Sequence, residues 1–217
     1  MGFVRPQCFG RCGATAIRTL ADVAAGRIDR LTPRTVDHLN FWPDFLQTAK
    51  PRLVDISEEA RQPALVFVDG SEEGAGEAVG VGAVLLTKDT KQAFGQVLPT
   101  AQVGHWKATS GRDRVIHQAE LLPIAIALRT WCEKIKGQRV LLFIDNDAAR
   151  YAVIKGTSEN SAANEILQDI WELAAEWDIS IWAERLPSKA NPADGPSRGD
   201  YKWCHDNNVE IIDAIMK

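Results

Sequence analysis

Two segments far apart in the chain, LVFVD ending at Asp69 and LLFID ending at Asp145, each run apolar residues straight into an aspartate. Short runs this apolar, bounded by turn residues such as Asp69-Gly70, read as buried central strands. In an open α/β sheet the strand ends along one edge form the crevice where ligands bind, so neighbouring strands would set Asp69 and Asp145 side by side. Two carboxylates that close repel strongly unless a cation lies between them. A hard divalent ion such as magnesium suits that place, because it prefers oxygen ligands and takes only a few from protein.

The elements around these strands alternate. The glycine-dotted SEEGAGEAVG is a turn, and VGVGAVLLT is a strand able to pair back on residues 64–70 as a hairpin. A third strand is expected between residues 91 and 103. Residues 117–136 place Ala119, Leu122, Ile126 and Leu128 on one apolar face, an amphipathic helix in spite of Pro123 and ended by Gly137. RVLLFIDND is the second buried strand, AARYAVIKG a short helix closed by Gly156, SAANEILQDIWELAAEW a long amphipathic helix, and ISIWAERLP a strand leading into the polar NPADGPSRG. That order predicts a mixed sheet with helices packed on it.

The first sixty residues read differently. ATAIRTLADVAAG is helical and ends on Gly26; PRTVDHLNFWPDFLQTA is a second helix with Thr32 as N-cap and Pro33 at its first position, expected to kink or split at Pro43. AKPRLVDISEEARQP carries prolines and charges without periodicity and reads as a linker. Trp42, Trp131, Trp171 and Trp182 fall at core positions, so the tryptophans are not read as base-stacking platforms.

Two more acids complete a candidate site. Glu120 sits in the first turn of the helix over 117–136, and Asp194 follows the last strand in NPAD. Taken singly, each has an ordinary reading: a strand-terminal Asp as turn former or N-cap, Glu120 as a complement to the helix dipole, Asp194 as a cap in a proline turn. All four in this order, each at a strand end or helix start on the same edge, point to a metal site instead.

Charge and cysteine content narrow the classes. A net charge of -4 argues against a protein that wraps nucleic acid by bulk electrostatics, although acids neutralised by metal and a basic stretch at 185–189 temper this. Cys8, Cys12, Cys132 and Cys204 are too few and scattered for a disulfide framework, and Cys8, Cys12, Cys204 and His205 match no common zinc spacing. No apolar run approaches the roughly 18 residues of a membrane span, and the N-terminus lacks the apolar core of a signal peptide. The expectation is an intracellular protein, in cytoplasm or nucleus, with no membrane partner.

VFVDGS, QAELLPIAIAL, LLFIDNDAAR and LPSKANPADGPSR resemble, in order and spacing, the ribonuclease H domains of retroelement reverse transcriptases, of the DIRS-like and gypsy-like type ending in NPAD-x-x-SR. The match covers residues 64–198, and LTPRTVDHLNFWPDFL with KPRL resembles the connection segment that precedes such domains. The resemblance implies an α/β, ribonuclease H-like mixed five-stranded sheet flanked by helices, with a small N-terminal helical segment. It divides the chain into a connection segment and linker at 1–60, the nuclease domain at 61–200 and a C-terminal helical tail at 201–217. Asp69, Glu120, Asp145 and Asp194 are then the catalytic, metal-binding acids. They hold two Mg2+ ions about 4 Å apart, replaceable by Mn2+, that cut the RNA strand of an RNA/DNA hybrid to leave 5′-phosphate and 3′-hydroxyl ends.

Ser71 would meet RNA 2′-hydroxyls, and Asn146, Lys155, Ser188 and Lys189 would touch phosphate. Lys155, just before Gly156, has the commoner role of complementing a helix C-terminus. No polymerase YxDD motif is present, so the chain reads as a nuclease-bearing fragment or a descendant without its polymerase, with a reverse transcriptase polymerase domain as its natural partner. The sequence departs from cellular enzymes in lacking a histidine in a glycine-rich loop before the last aspartate, and Gly195-Pro196 forbids a long helix after Asp194. A structure-specific DNase of the same superfamily and a non-catalytic connection-like domain that grips a duplex or a partner are the competing readings.

Overall fold

The structure, a computed structural model, describes residues 11–28, 30, 32–49, 62–74 and 78–216. The expected hairpin is present: β1 (Ala64–Glu73) pairs antiparallel with β2 (Ala78–Leu86), Leu65 opposite Leu86 and Glu73 opposite Ala78. β3 (Lys91–Val97) continues the antiparallel run. It stops earlier than residue 103 because Pro99 follows, and the chain turns into α3 (Thr100–Ser110), which buries Val103 and Trp106. Sequence periodicity did not announce this helix. Gly104 and its Ser and Thr residues are poor helix formers, and only two positions are buried.

The long amphipathic segment forms α4 (Ile116–Ile135), which runs through Pro123. β4 (Arg139–Ile144), α5 (Asp147–Lys155), α6 (Ser161–Glu176) and β5 (Ser180–Arg185) follow in the expected order, then α7 (Asp194–Ser197), α8 (Lys202–Asp206) and β6 (Glu210–Ile211). Asn146 and Asn160 cap α5 and α6 by accepting from Ala149 and Ala163 N–H, each at 3.1 Å. Gly156, at φ 72°, ends α5 in the left-handed conformation that favours glycine.

The strands lie in the order β5-β4-β1-β2-β3-β6. Among the described residues the sheet therefore has six strands where five were expected. Of the tail at 201–217, expected to be helical, the described residues 201–216 are helical over Lys202–Asp206 alone. The tail then pairs Glu210 and Ile211 in parallel with β3, where Gln92 Nε2 donates to Glu210 Oε2 at 2.7 Å. This covers part of an otherwise open sheet edge.

Alternation along the strands sorts side chains between the two faces. Val66, Val68, Val140, Leu142 and Ile144 join the main core with Leu121, Ile124, Leu128 and Trp131 of α4 and Leu167 and Ile170 of α6. On the other face Phe67 and Phe143, opposite each other in register, stack at 4.7 Å, and Val84 and Ala93 pack with Ala193, Cys204 and Val209. Trp131 and Trp42 are buried as expected and Trp171 is half-buried, but Trp182 is 65% exposed. It lies on the edge strand β5, where its indole N–H donates to Glu184.

The N-terminal helices α1 (Ala14–Ala24) and α2 (Pro33–Thr48) pack on each other, with Thr32 capping α2 by accepting from Thr35 N–H. Pro43 does not split α2. A proline removes one backbone hydrogen bond, and here Phe41 and Trp42 pack on Phe45 across it, which offsets the loss. No helix among the described residues is long and apolar enough to cross a membrane.

Candidate active site

The parallel pairing of β1 with β4 sets Phe67 opposite Phe143; continued two residues along, the same register puts Asp69 level with Asp145. Glu120 reaches them because α4 lies backbone-to-backbone on β1 at Gly70. A Cβ on Gly70 would stand 2.3 Å from the Ala119 carbonyl carbon and 2.6 Å from the Glu120 nitrogen, so only glycine permits the approach. Asp69, Glu120 and Asp145 each offer an oxygen within 4.8 Å of the others.

The first two side chains are buried and Asp145 is half-buried. The Gly70 N–H and the Asn146 side chain donate to the Glu120 carboxyl. Even so, Glu120 Oε2 and Asp145 Oδ1 are buried with no hydrogen-bond partner. Carboxylate oxygens left so are costly to bury, and a hard divalent cation with its oxygen preference would satisfy them. The three acids therefore fit a metal.

Burial and the neighbouring acids disfavour charge here. Burial first, then the charges of Asp145 and Asp194, raise Asp69 to about 6, while the Ser197 hydroxyl and Arg198 pull the other way. Burial, Asp69 and Asp145 raise Glu120 to about 8 against the two hydrogen bonds it receives. A carboxyl raised in the folded state binds its proton more tightly there than in the unfolded chain. The contribution of these two groups to metal-free stability is thus fully present below the ordinary carboxyl range and is lost as pH climbs through about 6 and about 8. In chelator, the melting temperature of Glu120→Gln should exceed that of wild type by a margin that widens from pH 5 to pH 8. A constant margin would mean Glu120 is not held protonated.

Asp194 lies apart from the three-acid cluster. It opens α7, is half exposed, and its Oδ1 accepts from Arg198 Nε at 3.2 Å, although its charge is felt at Asp69. What brings α7 here is a bed of glycines. A Cβ on Gly80 would meet the Ser197 carbonyl oxygen at 2.0 Å, on Gly82 the Ser197 nitrogen at 2.4 Å, and on Gly95 the Pro196 carbonyl oxygen at 2.1 Å. Gly82 and Gly95 are paired across β2 and β3. Asn191 ties the preceding loop to β1, its Nδ2 donating to the Val68 carbonyl at 2.9 Å and its Oδ1 accepting from Ala193 N–H.

Ser71 is buried, and its hydroxyl donates to the Ser197 carbonyl at 2.8 Å. Asn146 caps α5 beside Glu120, Lys155 is exposed in the last turn of α5, and Ser188 and Lys189 lie exposed in a single 3-10 turn at Ser188–Ala190. Sequence reading passed over Asn191, Ser197 and the glycine bed. The signal for them was present: glycines inside strands mark a close backbone approach.

No protein-family model matches the sequence, and no curated protein matches it. Among solved structures the chain is similar to RNase H1 from the halophilic archaeon Halobacterium salinarum NRC-1, at 18% identity over 62% of this chain and 94% of that one, with a TM-score of 0.50. It is likewise similar to the N-terminal RNase H domain of Rv2228c from Mycobacterium tuberculosis, at 16% identity over 67% and 98%, with a TM-score of 0.51. At such identities the likeness is one of fold. The chain has a ribonuclease H-like α/β fold, a mixed sheet flanked by helices.

Proposed function

We propose that this protein is a metal-dependent endonuclease that hydrolyses the RNA strand of RNA/DNA hybrids and is part of, or derived from, a retroelement reverse transcriptase. The observation that carries the reading is the meeting of Asp69, Glu120 and Asp145 at one strand-end edge of a ribonuclease H-like sheet, with two buried oxygens lacking partners. Those three, with Asp194 at the margin, would hold two Mg2+ ions, Mn2+ substituting. The bound ions would supply Lewis-acid activation of water and neutralise charge at phosphorus.

The chain's own residues set the geometry. Gly70 and Asn146 fix the Glu120 carboxyl by hydrogen bonds, and the β1–β4 register fixes the two aspartates. Asn146, Lys155, Ser188 and Lys189 would donate to the nucleic-acid backbone and Ser71 would meet RNA 2′-hydroxyls, although its hydroxyl here donates to the Ser197 carbonyl. The retroelement assignment rests on the resemblance of VFVDGS and NPADGPSR. With it go residues 1–60 as connection segment, 61–200 as nuclease domain, 201–217 as closing tail, and a polymerase domain as partner.

The test is cleavage of a labelled RNA/DNA hybrid beside single-stranded RNA and duplex DNA, in magnesium, manganese and EDTA. Metal-dependent cutting of the hybrid's RNA strand alone supports the proposal. Cutting of duplex DNA would move the assignment to a DNase, and no cutting with metal bound would move it to a duplex- or partner-binding domain. Asp194→Asn should lower cleavage only about 10- to 100-fold, the usual scale for residues supporting a metal from its periphery. A loss equal to that of Asp69→Asn would make Asp194 a full ligand.

A further inference from the structure

Among the described residues, Ser197 gives Asp69 a hydroxyl from the side of the sheet opposite α4. It is 3% exposed, its Oγ donates to Asp69 Oδ2 at 2.5 Å, and the same Oγ lies 2.9 Å from the Asp194 carbonyl. Its backbone is pinned on two strands at once. Ser71 Oγ donates to its carbonyl, and Gly80 and Gly82 leave room for its carbonyl oxygen and nitrogen where any Cβ would collide. The serine therefore cannot drift from Asp69 without moving α7 off the sheet.

A carboxylate that ligates a metal through one oxygen can otherwise swing about its χ2 torsion, which is broad and roughly two-fold. A hydroxyl fixed on the other oxygen removes that freedom. We propose that Ser197 is a positioning residue for the Asp69 carboxylate: it occupies Oδ2 and presents the remaining oxygen to the metal shared with Glu120 and Asp145. This rests on the metal reading above and gives the glycine bed a purpose beyond packing, namely to bring one hydroxyl from α7 to β1.

The experiment uses the full chain, wild type and Ser197→Ala, titrated calorimetrically with manganese(II), with circular dichroism to verify the fold. The alanine variant is expected to bind manganese about 10- to 100-fold more weakly, the range for lost outer hydrogen bonds to metal ligands. The manganese concentration giving half-maximal cleavage of the hybrid should rise by the same factor, with turnover recovering at saturating metal. A serine that merely tethers α7 would shift the melting temperature and leave metal affinity alone. Equal affinity in the two proteins overturns the proposal and leaves the metal reading standing. A wild type that binds no manganese overturns both. If the alanine variant does not fold, Ser197→Cys, whose thiol is only a weak donor, takes its place: weaker manganese binding supports the proposal and equal affinity overturns it.

Discussion

Asp69→Asn and Asp145→Asn are each expected to remove hybrid cleavage by about a thousandfold or more while leaving the fold intact. Metal-borne charge stabilisation supplies several kcal/mol of the barrier, and each 1.36 kcal/mol is about tenfold in rate. Neither carboxylate has a substitute, because the three acids converge from β1, α4 and the end of β4. The neutral variants should also melt higher than wild type in chelator at pH 8, since each removes a charge that raises Glu120, and Asp69→Asn also removes a buried carboxyl. Measured turnover and chelator melting curves check both signs together. Turnover like that of wild type in either variant would refute the site.

Gly70→Ala should drive the helix that bears Glu120 away from β1. The added carbon would lie 2.3 Å from the Ala119 carbonyl carbon and 2.4 Å from its oxygen, backbone atoms on both sides of the contact. Flexible side chains could yield there; a strand and a helix spine cannot. Overpacking commonly costs about 1–3 kcal/mol, and backbone confinement puts this case at about 3 kcal/mol. For a chain of this size that is a fall of about 6–12 °C in melting temperature. Because α4 carries Glu120, its displacement by about 1 Å should also lower cleavage about a hundredfold even where the protein remains folded. Gly104→Ala is the control: nothing lies within 4 Å of its Cβ, and in a helix alanine should stabilise by about 0.5–1 kcal/mol. Equal melting temperatures for Gly70→Ala and wild type would show that α4 does not depend on that contact.

Much of this site was legible because strand and helix signals are local. LVFVD and LLFID declared themselves as strands by apolar run length, the helix bearing Glu120 by its periodicity, and the second N-terminal helix by Thr32 and Pro33. Trp182 shows where such reading stops. Its place in ISIWAERLP is that of a core residue, yet β5 is an edge strand, and edge position is a property of strand order that no local pattern carries.

By itself the sequence determined the type and order of the elements that carry the acids, though not α3 or β6, and it placed acids where strands end and a helix begins, because backbone propensity and side-chain period are written in neighbouring residues. Only the tertiary structure decided which acids meet. β4 joins β1 in parallel, so Asp145 falls level with Asp69; α4 closes on Gly70, so Glu120 completes the trio; α7 settles on Gly80, Gly82 and Gly95, so Ser197 reaches Asp69 while Asp194 turns to Arg198. Each of these is a contact between segments distant in the chain, fixed by where backbones can approach within van der Waals distance, and that is a property of the packed molecule alone.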